Sequence, residues 1–328
     1  MALTTEQIIT LQSLKGFGAS KISRIYDASE NNNIFSLEDL HALTIDTIGG
    51  SNPPTYDNFL QANLDAKSII SKSKELGIGI VTKYDSDFPK ELFSTVNENG
   101  KPAVPILLYY KGDLSITSKP ALAIIGTREP TPEGIQAAKH FAGAFASIDI
   151  NIVSGLAIGC DSAGHRGALD AGGVTTAFLA NGLDSIYPKE NEDLAKEIIE
   201  KGGLLLSEYP VGTRVNKFNL VARDRLQAGL ANATLVVQTG IKGGTMHAVN
   251  ATLLSKKPLW VIDYSRDLGE KISGNLHLKQ PKNGGALGLP YIPKEKIISE
   301  KTKYLNMLKP QISHSESIVE TAYQGTLF

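Results

Sequence analysis

The sequence predicts an α/β fold: a doubly wound, mostly parallel sheet preceded by a small helical domain. Two observations carry this. Between about residues 80 and 295, short apolar runs rich in β-branched residues alternate with longer helix-like stretches, the pattern of strands buried on both faces by crossover helices. Before residue 75 the apolar spacing is helical instead. A third observation concerns the runs themselves, because three of them lead into small-residue loops that open helices: Gly126-Thr127-Arg128, Ser154-Gly155-Leu156-Ala157 and Gly243-Gly244-Thr245. Such loops sit at the sheet's carboxyl edge, where bare backbone and a helix N-terminus favour an anion, phosphate first.

Taken in order, Thr5-Glu6-Gln7-Ile8-Ile9 opens the first helix, and Ser36-Leu37-Glu38-Asp39-Leu40 reads as a capped start of another. Between them, Gly16-Phe17-Gly18 has two readings. It is either a helix-hairpin-helix turn, whose amides hold a phosphate of DNA without reading sequence, or a tight turn in a helical, SAM-like bundle. Ser51-Asn52-Pro53-Pro54 then precedes a last helix ending near Leu76. Tyr84 to Leu114 forms a lead-in with a strand at Ile106 to Tyr110. Further strands are expected at Ala121 to Ile125, Ile150 to Val153, Thr175 to Leu179, Gly203 to Leu206, Ala233 to Val237 and Leu259 to Ile262. Helices are expected at Pro132 to Ser147, Asp161 to Ala171, Asn191 to Lys201, Val221 to Leu230 and Thr245 to Leu254. The domains are therefore 1–75, 80–295, and an extension with a polar tail over 296–328. Ligands of open sheets like this bind beyond the strands' carboxyl ends.

Composition narrows the function. Lys and Arg total 33 against 34 Asp and Glu, a net charge of −1, so any nucleic-acid surface must be local. The single cysteine, Cys160, excludes an internal disulfide framework and fits a reducing compartment. No apolar run reaches the roughly 18 residues of a membrane span, and the start lacks the marks of a signal peptide, so a cytoplasmic protein without membrane function is expected.

Arg128 follows the first loop at the distance where a guanidinium forks onto a bound phosphate; a plain surface arginine is the alternative. After the second loop, Asp161 is a credible N-cap, with His165 and Arg166 one turn in. Cys160 has either a lowered pKa from the helix start or the inertness of a small buried thiol. A second cluster, Arg214, Lys217, Arg223 and Arg225, is interleaved with Phe218 and suits a phosphodiester backbone with an occasional stacked base. A solvated helix face is the alternative, and Asp224 raises the prospect of internal pairing. Lys242 adds a cation to the Gly243-Gly244-Thr245 loop. No convincing nucleophile and base pair up, and the histidines lack metal spacing, so no catalytic residue, metal or cofactor is expected.

Several segments together resemble the DprA/Smf DNA-processing family. They are Ser154 to Ala157 running on to His165-Arg166-Gly167-Ala168-Leu169, Asn181-Gly182-Leu183-Asp184, and Tyr187-Pro188-Lys189-Glu190-Asn191. Leu206-Ser207-Glu208-Tyr209-Pro210, Phe218 to Leu230, the Gly-Gly-Thr loop, Gly274-Asn275-Leu276 and Gly285-Ala286 follow in matching order, so the likeness covers about residues 80 to 290. The resemblance implies a Rossmann-like domain that binds and protects single-stranded DNA and loads a RecA-type recombinase during uptake or recombination, as a homodimer. Matched by position, Arg128, Lys189, Arg223 and the Gly243 to Thr245 loop would line the DNA pocket, joined by Gly126, Thr127, Ser154, Gly155, Arg225 and Lys242.

The departures are specific. The family commonly has Arg-Gly-Ile-Asp where this chain has Ile158-Gly159-Cys160-Asp161, and Arg-Asn-Arg where it has Arg223-Asp224-Arg225. One cation is lost and one anion gained beside the expected DNA path, which weakens or alters binding. The winged-helix unit of many relatives has no counterpart. Instead the chain closes on Gln324-Gly325-Thr326-Leu327-Phe328, which resembles the peptide that docks bacterial proteins on the sliding clamp through Gln324, Leu327 and Phe328. A tail folded back on its own domain is the alternative. Two other functions compete. Nucleotide phosphoribohydrolases of the lonely-guy type share the fold variant, but the glutamate they use is missing from Gly243 to Asn250. A specialised paralogue that senses nucleic acid beside a protein partner encoded nearby, in a defence or toxin-antitoxin module, keeps the fold and changes the role.

Overall fold

The computed structural model describes residues 3–49 and 53–308. Four helices come first: α1 (Thr5–Ser13), α2 (Ala19–Ser29), α3 (Leu37–Ile48) and α4 (Tyr56–Glu75). Three of them start on reciprocal capping boxes, Thr4 with Gln7, Ser36 with Asp39 and Thr55 with Asn58, so orphan amides at each start find side-chain acceptors. The turn between α1 and α2 sends Leu14 and Phe17 into the helical core and holds Gly16 at φ 78°. That core continues across the unit's edge: Ile8, Ile25, Leu40 and Phe59 belong to one cluster with Leu107, Tyr109 and Leu205 of the sheet. Tyr26 stacks on Tyr84 with ring centroids 3.2 Å apart, and the Lys83 ammonium donates to Ser23 Oγ at 2.8 Å.

The sheet has nine strands: β1 (Gly79–Thr82), β2 (Leu107–Gly112), β3 (Ala121–Ile125), β4 (Asn151–Ser154), β5 (Thr175–Phe178), β6 (Leu204–Ser207), β7 (Ala233–Val236), β8 (Leu259–Ile262) and β9 (Leu287–Leu289). Their spatial order is β1-β2-β6-β5-β4-β3-β7-β8-β9. From β6 to β9 every pairing is parallel, while β2 lies antiparallel to both β1 and β6. The fold is thus the doubly wound α/β sheet that the sequence predicts, with an antiparallel margin that the sequence does not reveal. The crossover helices are α5 (Pro132–Ala146), α6 (Cys160–Asp170), α7 (Glu192–Glu200), α8 (Lys217–Leu230) and α9 (Thr245–Leu254), followed by α10 (Ser273–Lys279), α11 (Lys294–Ser299) and α12 (Lys301–Leu308). Alternation along β3 divides the cores: Leu122 and Ile124 meet Phe141 and Phe145 of α5, while Ala123 and Ile125 face Leu226 of α8 and Val249 of α9.

Two boundaries bear on the site. Helix α8 begins at Lys217 rather than Val221, because the Asn216 side chain accepts from the Asn219 amide and starts the helix one turn earlier. At its other end, the buried Lys257 ammonium donates to the carbonyls of Ala228, Gly229 and Ala231 at 3.0, 2.6 and 2.8 Å. Burial pulls this amine down to about 8, yet it supplies the donors that the last turn of α8 lacks. Replacing it as Lys257→Met leaves the Ala228 and Ala231 carbonyls without this donor and Gly229 O with the Ser94 hydroxyl alone, at 3.3 Å. We expect urea unfolding to show a loss of about 2–4 kcal/mol.

Candidate functional site

Strand order reverses between β3 and β7, so the loops after these two strands lead to helices on opposite faces and leave a crevice at the sheet's carboxyl edge. That crevice is a cleft of about 570 Å³, lined by residues 125–129 after β3, Ala157 and Asp161 after β4, one side of α8, and 239–248 after β7. Its loops are tied together. The Thr127 amide donates to Gln238 O at 2.8 Å, the Cys160 amide donates to Thr127 O at 3.1 Å, and a Cβ on Gly126 would lie 2.5 Å from Cys160 Sγ. Asn275, 2% exposed, accepts from the Thr239 amide and donates to Val237 O and Ile262 O, which fixes the β7 loop to the end of β8. Helix α9 starts without a side-chain cap, and among the described residues the Gly244 and Thr245 amides have no acceptor.

Charge is sorted by depth. Arg128, Lys217 and Lys242 are exposed at the cleft's rim, and among the described residues their side chains make no hydrogen bond or ion pair. Deeper lies Arg223, 6% exposed. Its Nη1 donates to Phe178 O at 2.8 Å, its Nε sits 3.2 Å from Asp224 Oδ1, and a Cβ on Gly155 would overlap its guanidinium. Burial pushes the Asp224 carboxyl up to about 6, with Arg223 opposing the shift and Asp161 adding to it. Asp161 is likewise raised by burial against the pull of Arg223. Arginine, lysine and carboxylate side chains lining the cleft number four cations against three anions, Glu129 at the rim being the third.

The structure separates the residues the sequence nominates. Gly126, Thr127, Arg128, Arg223, Lys242, Gly243, Gly244 and Thr245 all line the cleft, and Gly155 lines a smaller pocket beside it. Arg225 does not: it is spent on a two-pronged pair with Glu208 at 2.6 and 2.7 Å and donates to Ala222 O at 2.6 Å. Two positions along a helix turn a side chain through about 200°, so Arg223 and Arg225 cannot share a face. Ser154 is fully buried and donates to Ile124 O at 2.6 Å, a bond between strands. Lys189 is exposed but lines neither cavity; its neighbours Tyr187 and Pro188 wall the smaller one. Cys160 is the inert buried thiol, pushed up to about 12 by burial. His165 is buried against Thr175 and pulled down to about 3, by burial first and then by Arg223. Lys217, a member of the basic cluster that the sequence offers to a phosphodiester backbone, lines the cleft together with Leu220, Asp224 and His247; the helical period of α8, started at its Asn216 cap, places Lys217, Leu220 and Asp224 on one side. Gln324, Leu327 and Phe328 lie outside the described residues. Among those described, no group of three or more His, Cys, Asp or Glu is placed to hold a metal, and no helix is long and apolar enough to cross a membrane.

Comparison with known proteins gives consistent matches. The family model of DNA recombination-mediator protein A matches residues 79–284. Protein Smf of Synechocystis is 36% identical over 188 residues, 56% of this chain and 46% of that protein. DNA processing protein DprA of Streptococcus pneumoniae is 37% identical over 142 residues, 43% of this chain and 50% of that one. The chain spans about half the length of these curated relatives. Among solved structures, DNA processing protein A of Streptococcus pneumoniae superposes with a TM-score of 0.73 at 27% identity, covering 92% of this chain and 99% of that one. DNA processing protein A of Helicobacter pylori, described for its single-stranded DNA binding mode, superposes with a TM-score of 0.57 at 29% identity, covering 69% and 96%.

The half-buried carboxylate at residue 224 makes a prediction about stability. Its folded pKa of about 6 stands above the ordinary 3.8, so the native state holds the extra proton between these values. Its contribution is therefore favourable below pH 4 and lost as pH rises through 6. Asp224→Asn is expected to raise stability at pH 7.5 by about 2 kcal/mol and to flatten the pH 4–6 profile of thermal unfolding.

Proposed function

Because this chain belongs to the family of DNA recombination-mediator protein A, the DprA/Smf proteins, we propose that the cleft at its strand-order reversal binds single-stranded DNA. The observation that carries the reading is the coincidence of three unpaired rim cations, Arg128, Lys217 and Lys242, with an uncapped helix start whose Gly244 and Thr245 amides lack acceptors among the described residues. Cations give a phosphate backbone its affinity, and loop amides fix its path without reading sequence. Phe218, 87% exposed one residue beyond Lys217, offers a ring on which a base can stack. The single-stranded DNA bound by the Helicobacter pylori relative supports the same ligand for this fold.

The reading extends, by family, to a non-catalytic role in which the protein holds and protects the strand and passes it to a RecA-type recombinase, acting as a homodimer in the cytoplasm. Docking on the sliding clamp through Gln324, Leu327 and Phe328 belongs to the same proposal. Asp224 and Ile158 favour one second reading, a paralogue that senses nucleic acid alongside a protein encoded nearby, since an exposed apolar side chain stands where a family cation is expected and a half-buried carboxylate where a neutral amide is expected.

The distribution of charge makes the first reading measurable. Three phosphates neutralised on a single strand give a log–log salt slope of about −2. Arg128→Ala, Lys217→Ala and Lys242→Ala should each flatten that slope by about 0.7 in fluorescence-anisotropy titrations. Arg225→Ala, which breaks the internal pair with Glu208, should leave the slope unaltered and lower the thermal midpoint instead. Unchanged slopes in all three rim variants would remove the cleft as the DNA site.

A further inference from the structure

Asp224 places a carboxylate in a cleft otherwise fitted for phosphate. Its side chain is 16% exposed, so water and salt screen the charge only in part. When ionised, it opposes the phosphates that Arg128, Lys217 and Lys242 attract. The cleft then carries four cations against three anions, and neutralising Asp224 alone leaves four against two. Arg223 Nε lies 3.2 Å from Asp224 Oδ1 without hydrogen-bond geometry. The other charged or titratable groups that act on this carboxyl are Asp161 at the start of α6, His247 on α9 and Arg128 after β3.

Gln227, one turn further along α8, supplies an independent observation at the same place. It is 2% exposed and lines the cleft with Asp224. Its Nε2 donates to Asp224 Oδ1 at 3.1 Å, and among the described residues this is the one hydrogen bond that the carboxylate accepts. Its Oε1 is buried and has no donor among those residues. Half a turn of the amide exchanges the two ends and brings Oε1 to Asp224. Only a protonated carboxyl can donate to it, because an ionised one is purely an acceptor. The pair therefore has a hydrogen-bonded arrangement for either charge state of Asp224. The turned amide also leaves a donor, in place of an unpaired acceptor, in the wall of an anion-binding cleft.

We propose that the cleft couples strand binding to proton uptake: as the phosphate chain enters, Asp224 takes one proton from solvent and the neutral acid donates to the turned amide of Gln227. Burial already holds the Asp224 carboxyl at about 6, with Asp161 adding to the shift and Arg223, His247 and Arg128 opposing it. In the free protein it is therefore ionised near neutrality by a small margin. Phosphates brought alongside disfavour the charged form further and raise that value. Strand affinity is thus greatest below pH 6, where Asp224 is protonated even in the free protein, and falls as pH rises through the value that the carboxyl has in the complex. The rim cations supply the attraction, and Asp224 sets how much of it is realised at a given pH.

The proposal rests on the single-strand reading, and the experiment separates the two. Binding of labelled oligothymidine to the full-length protein is followed by fluorescence anisotropy from about pH 5 to about pH 8 at constant ionic strength, a range in which thymine and the phosphodiesters keep their charge. If the strand raises the carboxyl by one unit, the wild-type protein should bind about tenfold more tightly at the acid end than at the alkaline end. Asp224→Asn, similar in shape and neutral throughout, should remove most of that dependence by binding near the wild-type acid level at every pH. His247→Gln should retain the dependence, because the proton resides on Asp224. Calorimetry of the wild-type protein in two buffers of different ionisation enthalpy needs no variant, and it should show uptake of about half a proton per bound strand at about pH 6.5. A flat wild-type profile, an absence of proton uptake, a dependence undiminished in Asp224→Asn, or its disappearance in His247→Gln overturns the coupling and leaves single-strand binding in place. Failure of oligothymidine to bind at every pH overturns both.

Discussion

The guanidinium of Arg223 lies where a side chain on residue 155 would have to be, and much of the cleft depends on that exchange of space. It reaches the end of β5 through Phe178 O, packs under the loop that follows β4, and stands beside the half-buried Asp224 on its own helix. Without it, the buried Asp161 and the half-buried Asp224 would lie together with no cation in contact, an arrangement that proteins tolerate by protonation or rearrangement. The pair is thus less a source of stability than a means of holding three elements in register. A glycine at 155 is the condition for it.

Around this anchor the sheet does the rest by topology. Parallel strands deliver the loops after β3, β4 and β7 to one edge, and the reversal of strand order between β3 and β7 opens the space between them. The other margin is closed by the helical unit, whose core is continuous with β2 and whose Tyr26 lies flat on Tyr84. Cations exposed at the rim, with Asp161 and Asp224 set deeper, give a surface that attracts a polyanion without being basic as a whole, consistent with a chain of net charge −1.

The parallel centre of the sheet was legible because strands buried on both faces must be apolar throughout, and runs such as Ala121 to Ile125 or Leu259 to Ile262 leave no other reading. The margins were not. β1, with Gly79 and Thr82 at its ends, and β9, with Gly288 at its centre, are half-buried and lack a continuous apolar run, and strand direction in β2 is set by its partners, not by composition. The site divides along the same line. Loop residues at 126–128 and 242–245 are visible as small residues after strands, whereas the division of labour within α8 depends on where the helix starts. Taking the Asn216 cap into account separates Arg225 from Arg223 and brings Lys217 in. Ser154 fails for a simpler reason: it is the last residue of β4, so its hydroxyl belongs to the sheet.

The central claim is that one nucleic-acid strand is seated at the strand-order reversal. Amide hydrogen exchange, followed with and without a single-stranded oligonucleotide, tests it most directly, because the loops at residues 126–129 and 242–245 line the cleft. Slowed exchange in both loops, with the four N-terminal helices unchanged, is the expected result. Slowed exchange confined to those helices or to the β9 margin, with both loops exchanging as in the free protein, would contradict it.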